Sequence, residues 1–387
     1  MNYILYIALF CLSFSSFAQQ PEQIKKITVE SKDAAYYKQQ MELWKEYLNT
    51  HKQEENAWYN YFLSTRYYNS TLQMPYEESK SKMLLLFDEM GKAIPNTFTY
   101  NLTKSWDMGV WDKDSFEYIL KAYQLKPADP QVLIELIVRY EVYGPAEKRT
   151  EFVKKYYDLQ VDSPELLNVC YNLMASLEPN AIVFTEGDND TFPLWMLQDA
   201  LNIRKDVIVL NTSLICLDEY RERIFKEHGI ILPADTINEL KIGVGNVKKS
   251  IVMLNKIVEV LATYTQRPIY ISHTVDEKSE IRKYIKDRLY VVGLASQYSK
   301  KRIDNTALIK RHYENDFLLD YILLDFRRDE KASIIKWVNQ IYLGPFTTLY
   351  KHYVLSGEEA KARRIKKYID VITTDNNLEA SVEQLIR

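Results

Sequence analysis

Across 387 residues the formal charge is only −3, which excludes the broad basic surface that nucleic acid or anionic lipid would select. Apolar residues make up 47% and there are just 10 Gly and 12 Pro, so the composition predicts a packed, helix-leaning protein of two or three structural units and excludes a disordered or linker-rich chain. Three cysteines are too few for a disulfide scaffold, and with five scattered histidines they supply no zinc-ligand spacing.

In chain order, residues 1–18 read as an export signal. Tyr3 to Phe14 is an almost unbroken apolar run, and Ser16-Phe17-Ala18 puts small residues at −3 and −1. Cleavage after Ala18 is expected, which places the protein in the periplasm or elsewhere outside the cytoplasm. Lipid anchoring at Cys11 is not, because the bulky Phe10 precedes it. No later run is long and apolar enough to span a membrane, so a soluble mature chain is expected.

Residues 19–178 read as helical repeats. Tyr37, Met41, Trp44 and Leu48 fall on one face of a 3.6-residue period. Another helix is expected around Trp58 to Tyr67, followed by a polar break from Asn69 to Pro75. Pro95, Pro130 and Pro164 then each open a helical run at a spacing of about 34 residues, the period of tetratricopeptide repeats. The unit at Pro130 is the clearest. It predicts a first helix over Val132–Tyr143, a break at Gly144-Pro145 and a second helix over Ala146–Leu159. Asp129 and Ser163 precede two of the prolines as N-caps. Such arrays present a surface to a protein or peptide partner, although a short array also serves as a buttress. The abundance of Tyr, 30 against 14 Phe, suits that packing.

After Pro179 the pattern changes, and residues 179–300 read as a small α/β domain. Ile182-Val183-Phe184, Val207-Ile208-Val209-Leu210, Ile269-Tyr270-Ile271 and Leu289-Tyr290-Val291-Val292 are strand-like. Helical stretches at about 192–202, 216–228, 247–265 and 277–287 separate them, which implies βαβ units and a largely parallel sheet. Residues 301–387 return to helical hairpins, the last turning at Ser356-Gly357-Glu358 between helices over Leu349–Leu355 and Ala360–Thr373. The expected fold class is therefore α/β plus all-α, with tetratricopeptide-like hairpins flanking a small, mostly parallel α/β domain.

The chemistry-bearing segment is Gly187-Asp188-Asn189-Asp190-Thr191-Phe192-Pro193-Leu194-Trp195. It follows a strand and opens a helix, the place where ligand sites of open α/β sheets lie. Three readings stay open here. Asp188 and Asp190 could hold a divalent cation, aided by the charge of Glu186. The loop could bind an uncharged polar ligand with Trp195 as a platform. Or Asp190 or Thr191 could cap the helix while Asp188 and Asn189 shape the turn. Asn211-Thr212-Ser213 and His273 end the neighbouring strands and could face the same crevice, which makes Asn211 and His273 further candidates. No Ser or Cys nucleophile accompanies His273, so a triad is not argued.

Arg204 and Asp206 read as an ion pair at a strand entry. Gly243-Val244-Gly245 lacks the third glycine and the preceding strand of a dinucleotide site. Asp235-Thr236-Ile237 is the Asp-Thr-aliphatic triplet of bacterial O-glycosylation, short enough to arise by chance. An oxidising compartment permits a bridge between Cys170 and Cys216, while their apolar contexts equally suit buried free thiols.

Asn180 to Trp195 resembles a segment of large bacterial membrane proteins, the protein O-mannosyltransferase-like family. Asp206-Val207-Ile208-Val209-Leu210-Asn211 and Arg267-Pro268-Ile269-Tyr270 are similar to the next strands of that family, so the resemblance covers about residues 179–387. Members begin with a polytopic membrane half of the GT-C class, which is expected to carry the transferase chemistry. Here a signal peptide and helical repeats stand in its place. The resemblance thus implies the non-membrane half alone, and the transferase activity does not carry over.

The expected function is an exported helical-repeat interaction or accessory module of the cell envelope, linked to protein glycosylation, with a protein, peptide or glycan as partner and no cofactor. The alternative is a metal-dependent transferase or hydrolase acting on a sugar or sugar nucleotide, with Asp188 and Asp190 on the metal and His273 or Glu186 as acid or base.

Overall fold

A computed structural model describes residues 20–386 apart from 28, 243–246, 276–284 and 325–331. The predicted export signal at 1–18, the Gly243-Val244-Gly245 triplet and most of the helix expected over 277–287 lie outside the described residues. Two units emerge, Met1–Asp107 and Met108–Arg387. No described helix is long and apolar enough to cross a membrane.

The first unit is helical: α1 (Ala34–Leu48), α2 (Glu55–Thr71), α3 (Tyr76–Ala93) and α4 (Phe98–Met108). Asp33 caps α1 by accepting from Tyr36 N. The predicted face of α1 is largely the buried one, with Gln40 in place of Met41 beside Tyr37, Trp44 and Leu48. These residues pack with Trp58, Phe62, Phe87 and Met90 in an aromatic core. Pro95 differs from expectation. It lies in the turn before α4 and is not its first helical residue, because Ile94-Pro95-Asn96 closes α3, with Asn96 at positive φ.

The second unit begins with helical pairs: α5 (Ser115–Leu125), α6 (Pro130–Tyr143), α7 (Ala146–Asp158) and α8 (Pro164–Ala175). Pro130 and Pro164 occupy the first turns, where the missing N–H is harmless. Asp129 accepts from Gln131 N and Val132 N, and Ser163 from Leu166 N. Gly144, at φ 67, ends α6 where the hairpin was expected to turn.

The sheet follows: β1 (Ile182–Thr185), α9 (Asp188–Asp199), β2 (Ile208–Asn211), α10 (Asp218–Glu227), α11 (Ala234–Leu240), α12 (Val247–Tyr264), β3 (Ile269–Ser272), β4 (Leu289–Val291) and β5 (Ala295–Tyr298). Its order is β2-β1-β3-β5-β4. β1 runs parallel to both β2 and β3, with Ile182 opposite Ile208 and Ile269. All four predicted strands exist. β5 was not predicted, and it changes the sheet by running antiparallel between β3 and β4, so the sheet is mixed at that edge. β1, β2 and β3 are buried along their whole length, as continuous apolar parallel strands require. Ile182, Phe184, Ile208, Leu210, Ile269 and Ile271 share one core cluster with Tyr220, Ile224, Ile257, Val258 and Leu261.

Beyond the sheet come α13 (Asn305–Arg311), a π-turn at His312–Asp316, α14 (Asp320–Leu323), α15 (Ala332–Val338), α16 (Leu343–Leu355), α17 (Glu359–Asn376) and α18 (Glu379–Ile386). The predicted hairpin α16–α17 is present and turns through Gly357 at φ 72. The architecture is thus helical hairpins with a small five-stranded α/β part.

Candidate functional site

The acidic motif forms the first turns of α9, at the carboxyl ends of the parallel strands. Helix α9 starts at Asp188, earlier than the sequence suggests, and Asp190 is its third residue. Asp190 is buried, and its carboxylate turns back onto its own loop. Glu186 N donates to Oδ2 (2.9 Å) and Gly187 N donates to Oδ1 (2.8 Å). Thr274 Oγ1, just past β3, also donates to Oδ2 (2.5 Å). Burial pushes the Asp190 carboxyl above the usual carboxylate range, against the downward pull of these donors.

Thr191 continues the network. Its hydroxyl is 2.8 Å from Thr185 Oγ1 at the end of β1 and accepts from Asn211 Nδ2 (3.1 Å) at the end of β2. Asn211 Nδ2 also donates to Glu186 O (3.1 Å), while its Oδ1 accepts from Ser213 N and Leu214 N. Ser272 Oγ lies 2.7 Å from Thr274 Oγ1. One motif therefore ties together the ends of β1, β2 and β3. The expectation that Asn211 lies beside the acidic loop holds, because β1 and β2 are neighbours.

Pro193 sits inside α9 and has no N–H for the carbonyl of Asn189, four residues earlier. The thiol of Cys170 on α8 meets that carbonyl at 3.8 Å. Burial pushes this thiol far up, with the Asp190 charge adding to it. Cys170 and Cys216 are both free thiols. Cys216 Sγ contacts Thr212 O at 3.3 Å.

Trp195 corrects an expectation. It is 1% exposed, so it offers no platform to a ligand. The reason is that α9 is buried on every side from Asp190 to Asp199. The Arg149 guanidinium lies 5.6 Å from the Trp195 ring centroid. Arg149 also bridges Asp199 (3.0 Å) and Glu141 (2.5 Å), and Glu141 accepts from Tyr220 Oη (2.6 Å). Burial alone would lower the Arg149 pKa, but the two carboxylates hold it above its ordinary value. Sequence reasoning missed this buried charge cluster, since its members come from four separate helices.

His273 is placed by β3 as expected, yet both ring nitrogens have partners inside the fold. Nδ1 is 3.3 Å from Ile341 O and Nε2 is 3.1 Å from Ser296 Oγ. A neutral ring with its proton on Nδ1 fits that pair, donating to the carbonyl and accepting from the serine. Glu186 and Asp188 are exposed and Asn189 is half-buried. Among the described residues no group of three or more His, Cys, Asp or Glu could hold a metal ion.

Arg204 and Asp206 do more than form a surface pair. Arg204 donates to Asp206 (2.9 Å) and to the carbonyls of Met174 (2.6 Å) and Leu177 (2.9 Å), while Asp206 accepts from Asn180 N (2.7 Å). The pair thus caps the end of α8 and holds the entrances to β1 and β2. Its hydrogen bond to Arg204 brings the Asp206 carboxyl down to about 2.

No curated protein matches the chain. A family model described as TMEM260-associated domain 2 matches residues 166–228. That span runs from α8 through β1, the acidic motif, α9 and β2 to the end of α10, so the region around the network is the part of this chain that is similar to that domain model.

Proposed function

We propose that this chain is an exported helical-repeat module of the cell envelope that binds a protein or peptide partner, with its α/β part serving as scaffold and not as a reaction centre. The observation that carries this reading is the engagement of Asp190. Both carboxylate oxygens that a cation or an acid–base step would need already accept hydrogen bonds from Glu186, Gly187 and Thr274. The enclosed Trp195 and the two internal partners of His273 support it further. A place beside protein glycosylation is supported by the match at residues 166–228 and by the resemblance to the protein O-mannosyltransferase-like family.

The test has two arms. Thermal shift of wild type and Asp190→Ala against Mg²⁺, Mn²⁺, Ca²⁺ and sugar nucleotides should show lower stability of the variant and no dose-dependent stabilisation of either protein. A photoreactive residue at Leu355, 88% exposed on the α16–α17 hairpin, should give a discrete protein adduct in cells. Turnover of a sugar donor that Asp190→Ala abolishes would replace this reading with the metal-dependent transferase.

A further inference from the structure

The C-terminal helices line a half-open cavity of about 400 Å³ that neither the acidic motif nor the buried charge cluster touches. One wall is the π-turn and the segment after it, which bring Tyr313, Glu314, Phe317 and Asp320. The other is α17, where Lys361, Arg364 and Tyr368 lie at i, i+3 and i+7 on one face. π-turns recur at functional sites because they push side chains out of the helical register.

The first wall is held in place. Asn172 accepts from Leu318 N (2.8 Å) and donates to Leu318 O (2.8 Å), and it donates to Tyr342 Oη as well (2.7 Å). This brackets the backbone between Phe317 and Leu319, so the cavity is preformed. Its size lies in the range of small-ligand sites.

The lining chemistry narrows the ligand. Lys361 is committed to Glu314 (2.9 Å) and Glu358 (2.7 Å). Arg364 makes no ion pair or hydrogen bond with any described residue. With Glu314 neutralised by Lys361, Arg364 and Asp320 leave the lining balanced in charge. An anion or a cation would meet one attractive and one repulsive partner there. A neutral polyol meets both as hydrogen-bonding groups, since a guanidinium fork and a carboxylate can each span two adjacent hydroxyls. The half-buried Tyr313 and Phe317 supply ring surface for the apolar C–H faces of such a ligand.

We propose that the cavity between the π-turn at His312–Asp316 and α17 binds a short, uncharged oligosaccharide. This site is separate from the acidic loop and does not depend on the interaction-module reading. The test is calorimetric titration of the full chain with mannobiose, cellobiose, N,N′-diacetylchitobiose and, as the competing class, an uncharged blocked tripeptide. At least one disaccharide should bind saturably with Kd of roughly 1 mM or tighter. Arg364→Ala and Asp320→Asn, both at exposed positions, should each weaken that binding about tenfold or more. Lys366→Ala, away from the cavity on the same helix, should not. Absence of saturable binding by every sugar in the panel would overturn the proposal. So would sugar binding that survives Arg364→Ala, or binding of the tripeptide alone.

Discussion

Replacing Asp190 with alanine tests the central reasoning about the acidic motif. The substitution removes the acceptor of hydrogen bonds from Glu186 N, Gly187 N and Thr274 Oγ1, and of a longer one from Thr191 Oγ1 (3.4 Å). Hydrogen bonds to a charged group contribute about 1.5–3 kcal/mol each. The full sum is not lost, for two reasons. Glu186 and Gly187 are exposed, so water can reach their N–H groups, and the Thr274 hydroxyl keeps Ser272 as a neighbour. Removing a buried carboxylate whose pKa is pushed up by burial also relieves some desolvation. The net expectation is a loss of about 3 kcal/mol, which at 2–4 °C per kcal/mol lowers Tm by about 6–12 °C. Asp190→Asn keeps one oxygen for Gly187 N and can offer its amide to the Thr274 hydroxyl, although that amide then meets the Glu186 N–H donor to donor, so its loss should be smaller than that of Asp190→Ala. Differential scanning calorimetry is the assay. A change below about 0.5 kcal/mol for Asp190→Ala would mean that the network does not hold the strand ends. An asparagine variant as unstable as the alanine one would refute the assignment of the donors.

Three further outcomes are expected. Asp206 has a folded pKa lowered to about 2, so its contribution is present above the unfolded carboxylate pKa of about 3.9 and is lost as pH falls through about 2. Asp206→Asn should therefore destabilise the protein at pH 7 and converge with wild type near pH 2 in urea titrations; a gap independent of pH would contradict this. Arg149→Ala strands Glu141 and Asp199 as buried, unpaired carboxylates and should cost about 3–5 kcal/mol by chemical denaturation, whereas a loss under 1 kcal/mol would show that water reaches them. In the native protein a thiol reagent should label the half-buried Cys216 well before the buried Cys170, and mass spectrometry should find no bridge; equal labelling rates would place Cys170 at an accessible surface.

Much of the fold was legible because its signals are local. Pro130 after Asp129, the Gly144-Pro145 break and Gly357 in the last hairpin act within one turn of themselves, and each produced the predicted helix end. The strands β1, β2 and β3 were equally plain, since burial on both faces demands continuous apolar runs. The strand β5 was not. Ala295-Ser296-Gln297-Tyr298 carries no apolar run, and it becomes a strand only because β3 and β4 pair with it on either side.

By itself, then, the sequence determined the helical hairpins, the three parallel strands and the place of the acidic motif between a strand and a helix. Only the tertiary structure decided what that motif does. Asp190 is joined by a hydroxyl 84 residues away, Cys170 on another helix meets the carbonyl freed by Pro193, and Trp195 is closed off beneath Arg149. The cavity beside the π-turn belongs to the same class, for its walls are 50 residues apart in sequence between Glu314 and Arg364. Caps and periodicity are set by neighbours along the chain, whereas the partner of a buried polar group is set by whichever distant segment the packed core brings within hydrogen-bond reach.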